Sequence, residues 1–253
     1  MHTPQIGTDS SSSVGSGPVR RRERTSVAAM QGLVRVEPAR SLGTPKAILF
    51  DLDGTLIDTM QVFADVAADV MVAHHGMDRT RARSAYLTTS GIPFFRQLET
   101  ISPGDARNAA AAEEFEARKV VAVADVRLSA ETIDALMGMK ARGIRIAVCS
   151  NNFQAQVDEF VATCPVTFDL ALGFGNGLAK GPTQFEYARQ TFGCRRDELL
   201  FVGDSVADAE LARAADVAFV AKVGTFDAGA FFDVAPGALA VDEVTEILAL
   251  LGR

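Results

Sequence analysis

Apolar residues along the chain fall into short strand-like runs that alternate with segments of helical periodicity. The run from Ala47 to Phe50 is continuously apolar, which is typical of a strand buried on both faces of a parallel sheet. Similar runs predict strands over 144–149, 199–203 and 217–220, and helical patterns predict helices over 130–141, 153–162, 183–192, 208–215 and 241–251. Strands separated by helices at this spacing predict an α/β fold, a parallel sheet with helices on both faces.

The segment between the first two strands is mostly helical in pattern. Apolar residues at helical spacing predict a helix from Met60 to His75, and Gly76 is a plausible end to it. Further helices are predicted over 79–88, 94–99 and 103–119, with a loop at Ser90 to Pro93. These patterns divide the chain into an N-terminal tail (1–45), an α/β core (46–59 and 129–253) and an α-helical insertion (60–128).

Composition separates the tail from the rest of the 253-residue chain. Residues 1–45 combine a serine run at Ser10 to Ser13 with six arginines, and they offer too little apolar surface to offset the entropy of ordering, so we expect a disordered tail. No apolar segment follows the arginines, which argues against a secretory signal. No apolar stretch approaches the roughly 20 residues that span a membrane, so no membrane partner is expected.

Charge and cysteine content narrow the partners and the compartment. The formal net charge is −7 although the tail is basic, so the remainder is strongly acidic and nucleic acid is a disfavoured partner. Three scattered cysteines, Cys149, Cys164 and Cys194, are too few for a disulfide framework. They predict buried thiols in a reducing cytoplasm.

The candidate chemistry begins where the first strand ends. Asp51 and Asp53 are one residue apart, so on a strand their carboxylates would face the same side and repel each other unless a cation or a phosphoryl group lay between them. Gly54 follows and allows the backbone to turn sharply at the edge where open parallel sheets bind ligands. A reactive centre at Asp51 is therefore the first hypothesis, and a strand followed by an ordinary turn is its structural alternative.

Three later signals strengthen that hypothesis. Ser150 and Asn151 end the second strand with groups that suit phosphate oxygens, Lys180 follows a glycine-rich loop, and another strand leads through Gly203 to Asp204 and Asp208. Taken singly, Ser150 or Asp208 is more often a helix cap, and Lys180 more often a surface lysine. The occurrence of all these residues in this order along one chain is a much more specific signal than any one of them.

Together these motifs resemble the haloacid dehalogenase superfamily from about residue 46 onward. The family's first motif matches Asp51, Asp53, Gly54 and Thr55, the second Ser150, the third Lys180, and the fourth Gly203, Asp204 and Asp208. Gly181 and Asp216 stand where related sequences often have proline and glycine. The resemblance implies a Rossmann-like core, and it implies that the helical insertion is a cap that closes over the site.

The resemblance also implies roles. Asp51 would attack phosphorus and form an aspartyl-phosphate, and Asp53 would be the general acid and base. Oxygen atoms of Asp51, Asp204 and the Asp53 carbonyl would hold Mg²⁺, with Asp208 in the outer shell. Thr55, Ser150, Asn151 and Lys180 would bind the substrate, with Ser150 and Lys180 on the phosphoryl group.

Comparison of branches of the superfamily favours a phosphatase acting on a small phosphorylated metabolite. Dehalogenases generally lack the second aspartate, here Asp53. Phosphonate hydrolases use a cap lysine, and no lysine occurs from Gly54 to Arg118. Sugar phosphomutases usually carry a histidine where this chain has Phe63; a mutase and a phospho-ligand-binding domain without turnover stay open as alternatives. The loop from Gly91 to Phe94 resembles that of phosphoglycolate-phosphatase-like members, and Arg96 beside it could pair with an anionic group of the substrate.

Overall fold

The computed structural model describes residues 43–251, so the predicted disordered tail falls almost wholly outside it. Within these residues, six parallel strands form one sheet. In chain order they are β1 (Ala47–Phe50), β2 (Arg145–Phe153), β3 (Leu170–Phe174), β4 (Leu199–Gly203), β5 (Ala218–Lys222) and β6 (Leu239–Val241). The spatial order is β3-β2-β1-β4-β5-β6, which puts β1 in the interior between β2 and β4.

Ten α-helices accompany the strands over the same residues. They are α1 (Met60–His75), α2 (Arg79–Thr88), α3 (Phe94–Ile101), α4 (Asn108–Ala122), α5 (Ala130–Ala141), α6 (Gln154–Thr163), α7 (Pro182–Phe192), α8 (Val206–Ala214), α9 (Ala228–Val234) and α10 (Ile247–Leu250), with short 3-10 turns at Arg196–Glu198 and Val244–Glu246. None of the helices described is long and apolar enough to cross a membrane.

The apolar run of β1 explains why the sheet is covered on both faces. Successive side chains of a strand point to opposite faces; Ile48 and Phe50 join one core cluster, and Ala47 and Leu49 join the other. Helices α5, α6 and α10 contribute to the first cluster, whereas α7, α8 and α9 contribute to the second. The predicted Rossmann-like α/β fold is confirmed.

Helices α1 to α4 form the helical insertion, which we call the cap helices, between β1 and α5. They enclose an apolar cluster of their own that includes the rings of Phe63, Tyr86, Phe94 and Phe115. The Phe94 and Phe115 rings are the closest pair, with centroids 4.2 Å apart. Four helices thus occupy the segment between β1 and α5, and its status as a separate cap domain and its action as a closing cap stay predictions.

Several element boundaries differ from the sequence-based expectation. The helix predicted over 103–119 begins only at Asn108, because Gly104 adopts a positive φ of 68° and the chain turns there. The closing helix predicted over 241–251 is instead strand β6, a 3-10 turn and the short helix α10. The Glu246 carboxylate accepts hydrogen bonds from the backbone N–H groups of Asp242 and Glu243 and so caps that turn.

Candidate active site

Most of the predicted site residues lie near one another at the carboxyl edge of the sheet. Phe50 is in register with Val148 of β2 and Val202 of β4, so the residues that follow these positions emerge side by side. Asp51 comes directly after β1, Asp204 directly after β4, and Ser150 lies in β2. Parallel strands in an open α/β sheet place ligands at this edge.

Asp51 and Lys180 form the centre of the site. The Lys180 Nζ atom lies 3.0 Å from Asp51 Oδ1 and 2.7 Å from Asp208 Oδ1, and all three side chains are buried. Burial alone would lower the pKa of Lys180, but the carboxylates of Asp208 and Asp51 raise it above its ordinary value. Lys180 is therefore a fixed positive charge beside Asp51.

The fourth motif is held by the start of α8. Ser205 N–H and Oγ–H donate to Asp208 Oδ2 at 3.2 and 2.7 Å, and the Asp208 N–H donates back to Ser205 Oγ at 3.0 Å. This reciprocal cap fixes Asp208 while its other oxygen pairs with Lys180. Asp204 accepts a hydrogen bond from the Thr225 hydroxyl.

Gly54 is required by this packing. It has a φ of 80°, and a Cβ placed on it would lie 2.1 Å from Asp204 Oδ2. Any other residue would therefore collide with the carboxylate that the site needs.

The carboxylates form a candidate metal site. Oxygen atoms of Asp51, Asp204 and Asp208 lie within 4.8 Å of one another. Burial and neighbouring carboxylates raise the pKa of Asp51 well above its ordinary value, and burial together with Asp208 raises the pKa of Asp204 to about 7. The protein by itself thus leaves negative charge here incompletely offset, and hard carboxylate oxygens fit Mg²⁺. Since both Asp208 oxygens are already paired, Asp51 and Asp204 are the better direct ligands.

Asp53 is oriented by two donors. Thr59 Oγ–H donates to Asp53 Oδ1 at 2.8 Å, and Asn152 Nδ2 donates to Asp53 Oδ2 at 2.7 Å. Thr59 immediately precedes α1, whereas Asn152 is the second-last residue of β2. The carboxylate therefore depends on both the start of the cap helices and the sheet.

Ser150 and Asn151 differ in what they could offer a ligand. Ser150 Oγ accepts from the Asn152 N–H at 3.0 Å, so its own O–H proton can still donate to a phosphoryl oxygen. Asn151 already spans two partners, because its Oδ1 accepts from the Lys180 N–H at 3.3 Å and its Nδ2 donates to the Gly91 carbonyl at 2.9 Å. It joins the core to the loop between α2 and α3.

A cavity of about 60 Å³ lies between these core residues and the cap helices. From the core it is lined by Asp51, Asp53, Ser150, Asn151, Asn152, Lys180 and Asp204. The side chains facing them from the cap include Phe63, Tyr86, Ser90, Gln97, Phe115, Glu116 and Lys119. Burial and the nearby Asp53 raise the pKa of Tyr86 well above its ordinary value, so its phenol stays a hydrogen-bond donor.

Lys119 is the cation that the cap helices bring to this cavity. Its Nζ atom lies 2.9 Å from Glu116 Oε2 and 2.9 Å from Asn152 Oδ1. It also lies 5.5 and 5.6 Å from the ring centroids of Phe63 and Phe115, within cation–π range. The absence of lysine from Gly54 to Arg118 argued against a phosphonate hydrolase, and Lys119 is the residue that directly follows that segment.

Two predicted binding residues are not brought to the cavity. Thr55 is buried and its hydroxyl has no hydrogen-bond partner among the described residues, but it lines a different depression, with Lys222 and Thr225. Arg96 is exposed and its guanidinium lies 5.7 Å from the Phe95 ring centroid. Their substrate-binding roles stay predictions.

No strong local signal in the sequence marks Glu116, Lys119, Asn152 or Thr59 as site residues. Glu116 and Lys119 are spaced i and i+3, which places both on one face of α4, but helical spacing does not reveal what that face meets. Asn152 was visible as the last residue of the Ser150-Asn151-Asn152 run. Its contact with Asp53 joins residues 99 positions apart.

Comparison with known proteins identifies the family. The model of the haloacid dehalogenase-like hydrolases matches residues 45–216, which include all four motifs, and the chain belongs to this family. The chain is 26% identical over 217 residues to a phosphoglycolate phosphatase of Pectobacterium atrosepticum, covering 82% of this chain and 93% of the relative. It is 29% identical over 187 residues to a phosphoglycolate phosphatase of Rhodobacter capsulatus, covering 69% and 82%.

Solved structures share the fold. A putative phosphoglycolate phosphatase from Lactobacillus delbrueckii aligns with a TM-score of 0.70 at 19% identity, over 83% of this chain and 100% of that one. CbbY from Rhodobacter sphaeroides, solved in complex with xylulose-1,5-bisphosphate, aligns with a TM-score of 0.63 at 22% identity, over 83% and 100%. At these identities the alignments show the fold alone.

These findings confirm the predicted family and its likeness to phosphoglycolate phosphatases. They also confirm the predicted enzyme class, since the curated relatives are phosphatases of the same hydrolase family. The individual roles of the site residues, the bound metal and the substrate are separate questions.

Proposed function

We propose that the protein is a Mg²⁺-dependent phosphatase that hydrolyses a small phosphorylated metabolite through an aspartyl-phosphate on Asp51. The observation that carries the proposal is the buried Asp51 carboxylate, 3.0 Å from Lys180 Nζ and next to the separately oriented Asp53 in one cavity. Binding of a phosphate alone requires neither a nucleophile nor an adjacent acid.

In the first half of the reaction, a carboxylate oxygen of Asp51 attacks phosphorus and the bond to the leaving alcohol breaks. Lys180 and the Ser150 hydroxyl offset the charge on the phosphoryl oxygens. Asp53 gives its proton to the leaving oxygen, while Thr59 and Asn152 hold its carboxyl group in place. The products at this stage are the free alcohol and phosphorylated Asp51.

In the second half, water attacks the phosphorus of the aspartyl-phosphate and Asp53 accepts the proton of that water. The P–O bond to Asp51 breaks, which releases inorganic phosphate and restores the Asp51 carboxylate. Asp53 regains the proton that it gave away in the first half, so the cycle closes without another donor.

Mg²⁺ would be held by Asp51, Asp204 and the Asp53 carbonyl, and when bound it would supply positive charge against the carboxylates and the phosphoryl group. Asp208 would act through Lys180 and α8 and would not contact the metal directly, because both of its oxygens are already engaged.

Hydrolysis is favoured over phosphoryl transfer between sugar positions. Phe63 occupies the position at which related mutases usually have histidine. It lines the cavity and packs against Phe115 with the ring centroids 6.3 Å apart. This position therefore offers an apolar wall and no proton-transfer group.

The test is a panel of phosphate monoesters assayed with Mg²⁺ on wild type and on Asp51→Asn. We expect turnover of at least one small ester by wild type, and a loss of about 10³-fold or more in Asp51→Asn. Circular dichroism would show that the variant is folded, because asparagine nearly preserves the shape of aspartate. Equal turnover by the two proteins would refute the nucleophile, and binding of phosphate esters without turnover would favour the non-catalytic alternative.

A further inference from the structure

The cap helices bring two charged residues to the cavity, and these two neutralise each other. Among the residues that line the cavity from the cap, Glu116 and Lys119 are the charged ones, and their ion pair is 2.9 Å long. The Lys119 side chain is 9% exposed and that of Glu116 is 27% exposed, so water screens this pair less than a fully exposed one. A substrate that enters the cavity meets a neutral pair on the cap side.

Lys119 has little capacity left for a substrate anion. Its ammonium group donates a hydrogen bond to the Asn152 side-chain oxygen and forms the ion pair with Glu116. The rings of Phe63 and Phe115 lie beside the same charge. A carboxylate or second phosphate on the substrate would have to displace Glu116, and would then lie beside its negative charge.

The charge balance of the whole cavity points in the same direction. Four acidic residues line it, Asp51, Asp53, Glu116 and Asp204, against the cations Lys119 and Lys180, and the Mg²⁺ of the proposed function would offset the two charges that remain. The phosphoryl group already adds negative charge, and a further anion on the leaving group would add more in a poorly screened space.

The remaining polar groups on the cap side suit hydroxyls. Tyr86 keeps its phenolic proton. The Ser90 hydroxyl is buried and has no hydrogen-bond partner among the described residues, although it lines the cavity. Hydroxyl groups of a ligand could accept from these donors and donate to Glu116.

Resting on the proposed phosphatase function, we propose that the leaving group of the natural substrate is a small, uncharged, hydroxylated alcohol, and that Glu116 selects it against carboxylate-bearing leaving groups. Phosphorylated Asp51 and free polyol are then the products of the first half-reaction. The chain would differ in this respect from the phosphoglycolate phosphatases that it resembles, since glycolate carries a carboxylate.

The first test compares three alkyl phosphates of similar size: glycerol 3-phosphate, 2-phosphoglycolate and butyl phosphate. We expect kcat/KM for glycerol 3-phosphate to exceed that for each of the others by about tenfold, the value of one hydrogen bond to a charged group. Faster hydrolysis of 2-phosphoglycolate, or of butyl phosphate, would overturn the proposal.

The second test uses Glu116→Gln, which keeps the size of the side chain and frees the charge of Lys119. The ratio of kcat/KM for 2-phosphoglycolate to that for glycerol 3-phosphate should rise about tenfold. Glu113→Gln, at an exposed position of the same helix, is the matched control and should leave the ratio unchanged. An unchanged ratio in Glu116→Gln would overturn the role of Glu116.

A binding measurement keeps the test independent of turnover. In the Asp51→Asn background, the Glu116→Gln change should strengthen binding of 2-phosphoglycolate relative to glycerol 3-phosphate in calorimetry. Asp51-dependent hydrolysis of p-nitrophenyl phosphate, combined with a preference for 2-phosphoglycolate, would refute this proposal and leave the phosphatase function standing. Absence of Asp51-dependent hydrolysis of every ester would refute the proposed function itself, and this inference with it.

Discussion

Asp53 shows how single side chains link the two halves of the site. Its carboxylate is held by Thr59 at 2.8 Å and by Asn152 at 2.7 Å, and the amide of Asn152 is itself oriented by Lys119 of α4. An amide with its oxygen on an ammonium group must present its N–H₂ on the other side. Asn152 is therefore a positioning residue through which a cap lysine orients the proposed general acid.

Asn152→Ala should lower activity in a way that depends on the leaving group. Alkyl esters need a proton from Asp53 to depart, whereas p-nitrophenolate leaves without one. We expect kcat to fall about 10- to 100-fold for an alkyl phosphate and only a few-fold for p-nitrophenyl phosphate. Asp53→Asn should show the same dependence more strongly, and equal losses on both esters in Asn152→Ala would mean that its role is structural.

The loop between α2 and α3 is the element that brings the cap helices against the core. Asn151 Nδ2 donates to the Gly91 carbonyl at 2.9 Å. Gly91 has a φ of 93°, and a Cβ on it would lie 2.1 Å from Ser205 Oγ at the start of α8. Because Gly91 has no side chain, its backbone can lie against Ser205, which follows Asp204 of the fourth motif.

Gly91→Ala should interfere with this contact and so with turnover. Gly76→Ala is the matched control, because Gly76 also has a positive φ, 63°, yet a Cβ there meets no described atom within 4 Å. Both variants should lose about 1 kcal/mol of stability from backbone strain, and Gly91→Ala should lose more because its Cβ would collide with Ser205. Only Gly91→Ala should lower kcat/KM for the best alkyl phosphate, by about tenfold or more, since misplacement near the chemistry is costly.

If the two alanine variants lost activity equally, the contact between Gly91 and Ser205 would have no part in catalysis. Chemical denaturation measures the stability of both variants, and steady-state kinetics measures their kcat/KM.

At the scale of the whole molecule, the positions of the candidate site residues were easiest to predict where those residues follow a strand end. Asp51, Asp53, Ser150, Lys180 and Asp204, which the ordered motifs single out, all line one cavity, and their individual roles stay predictions. Strands β3 and β6 were not predicted from the sequence. Strand β6 has only three residues, too few to show a clear period. Strand β3 is as long as β4, but it contains Gly173 and is only partly buried, so it lacks a continuous run of strand-forming residues. The cap residues of the cavity could not be predicted for another reason. Helical periodicity places Glu116 and Lys119 on the same face of α4, but only tertiary packing determines that Lys119 contacts Asn152.

The stability of the metal-free protein should depend on pH through the carboxylate cluster. The pKa of Asp204 is raised from 3.8 to about 7, so the folded state holds this proton more tightly than the unfolded state. The free energy of unfolding should therefore fall as pH rises from about 4 to about 7. Asp51 shifts in the same direction, whereas the raised pKa of Lys180 contributes nothing in this window, because lysine is protonated throughout it in both states.

Asp204→Asn should remove the part of that pH dependence that comes from Asp204. Raising the pKa of Asp204 from 3.8 to about 7 corresponds to at most about 4 kcal/mol. One kcal/mol moves the melting temperature of a chain of this size by about 2–4 °C. In EDTA at pH 8 we expect the variant to melt roughly 5–10 °C above wild type, with less than half that difference at pH 5. Mg²⁺ should stabilise wild type at pH 8 and leave Asp204→Asn nearly unaffected, since ligand binding stabilises only a protein that retains the site. Equal stabilisation of both proteins by Mg²⁺ would show that the metal binds elsewhere. A variant that melts below wild type in EDTA at pH 8 would show that other protein groups already offset the charge of the Asp204 carboxylate.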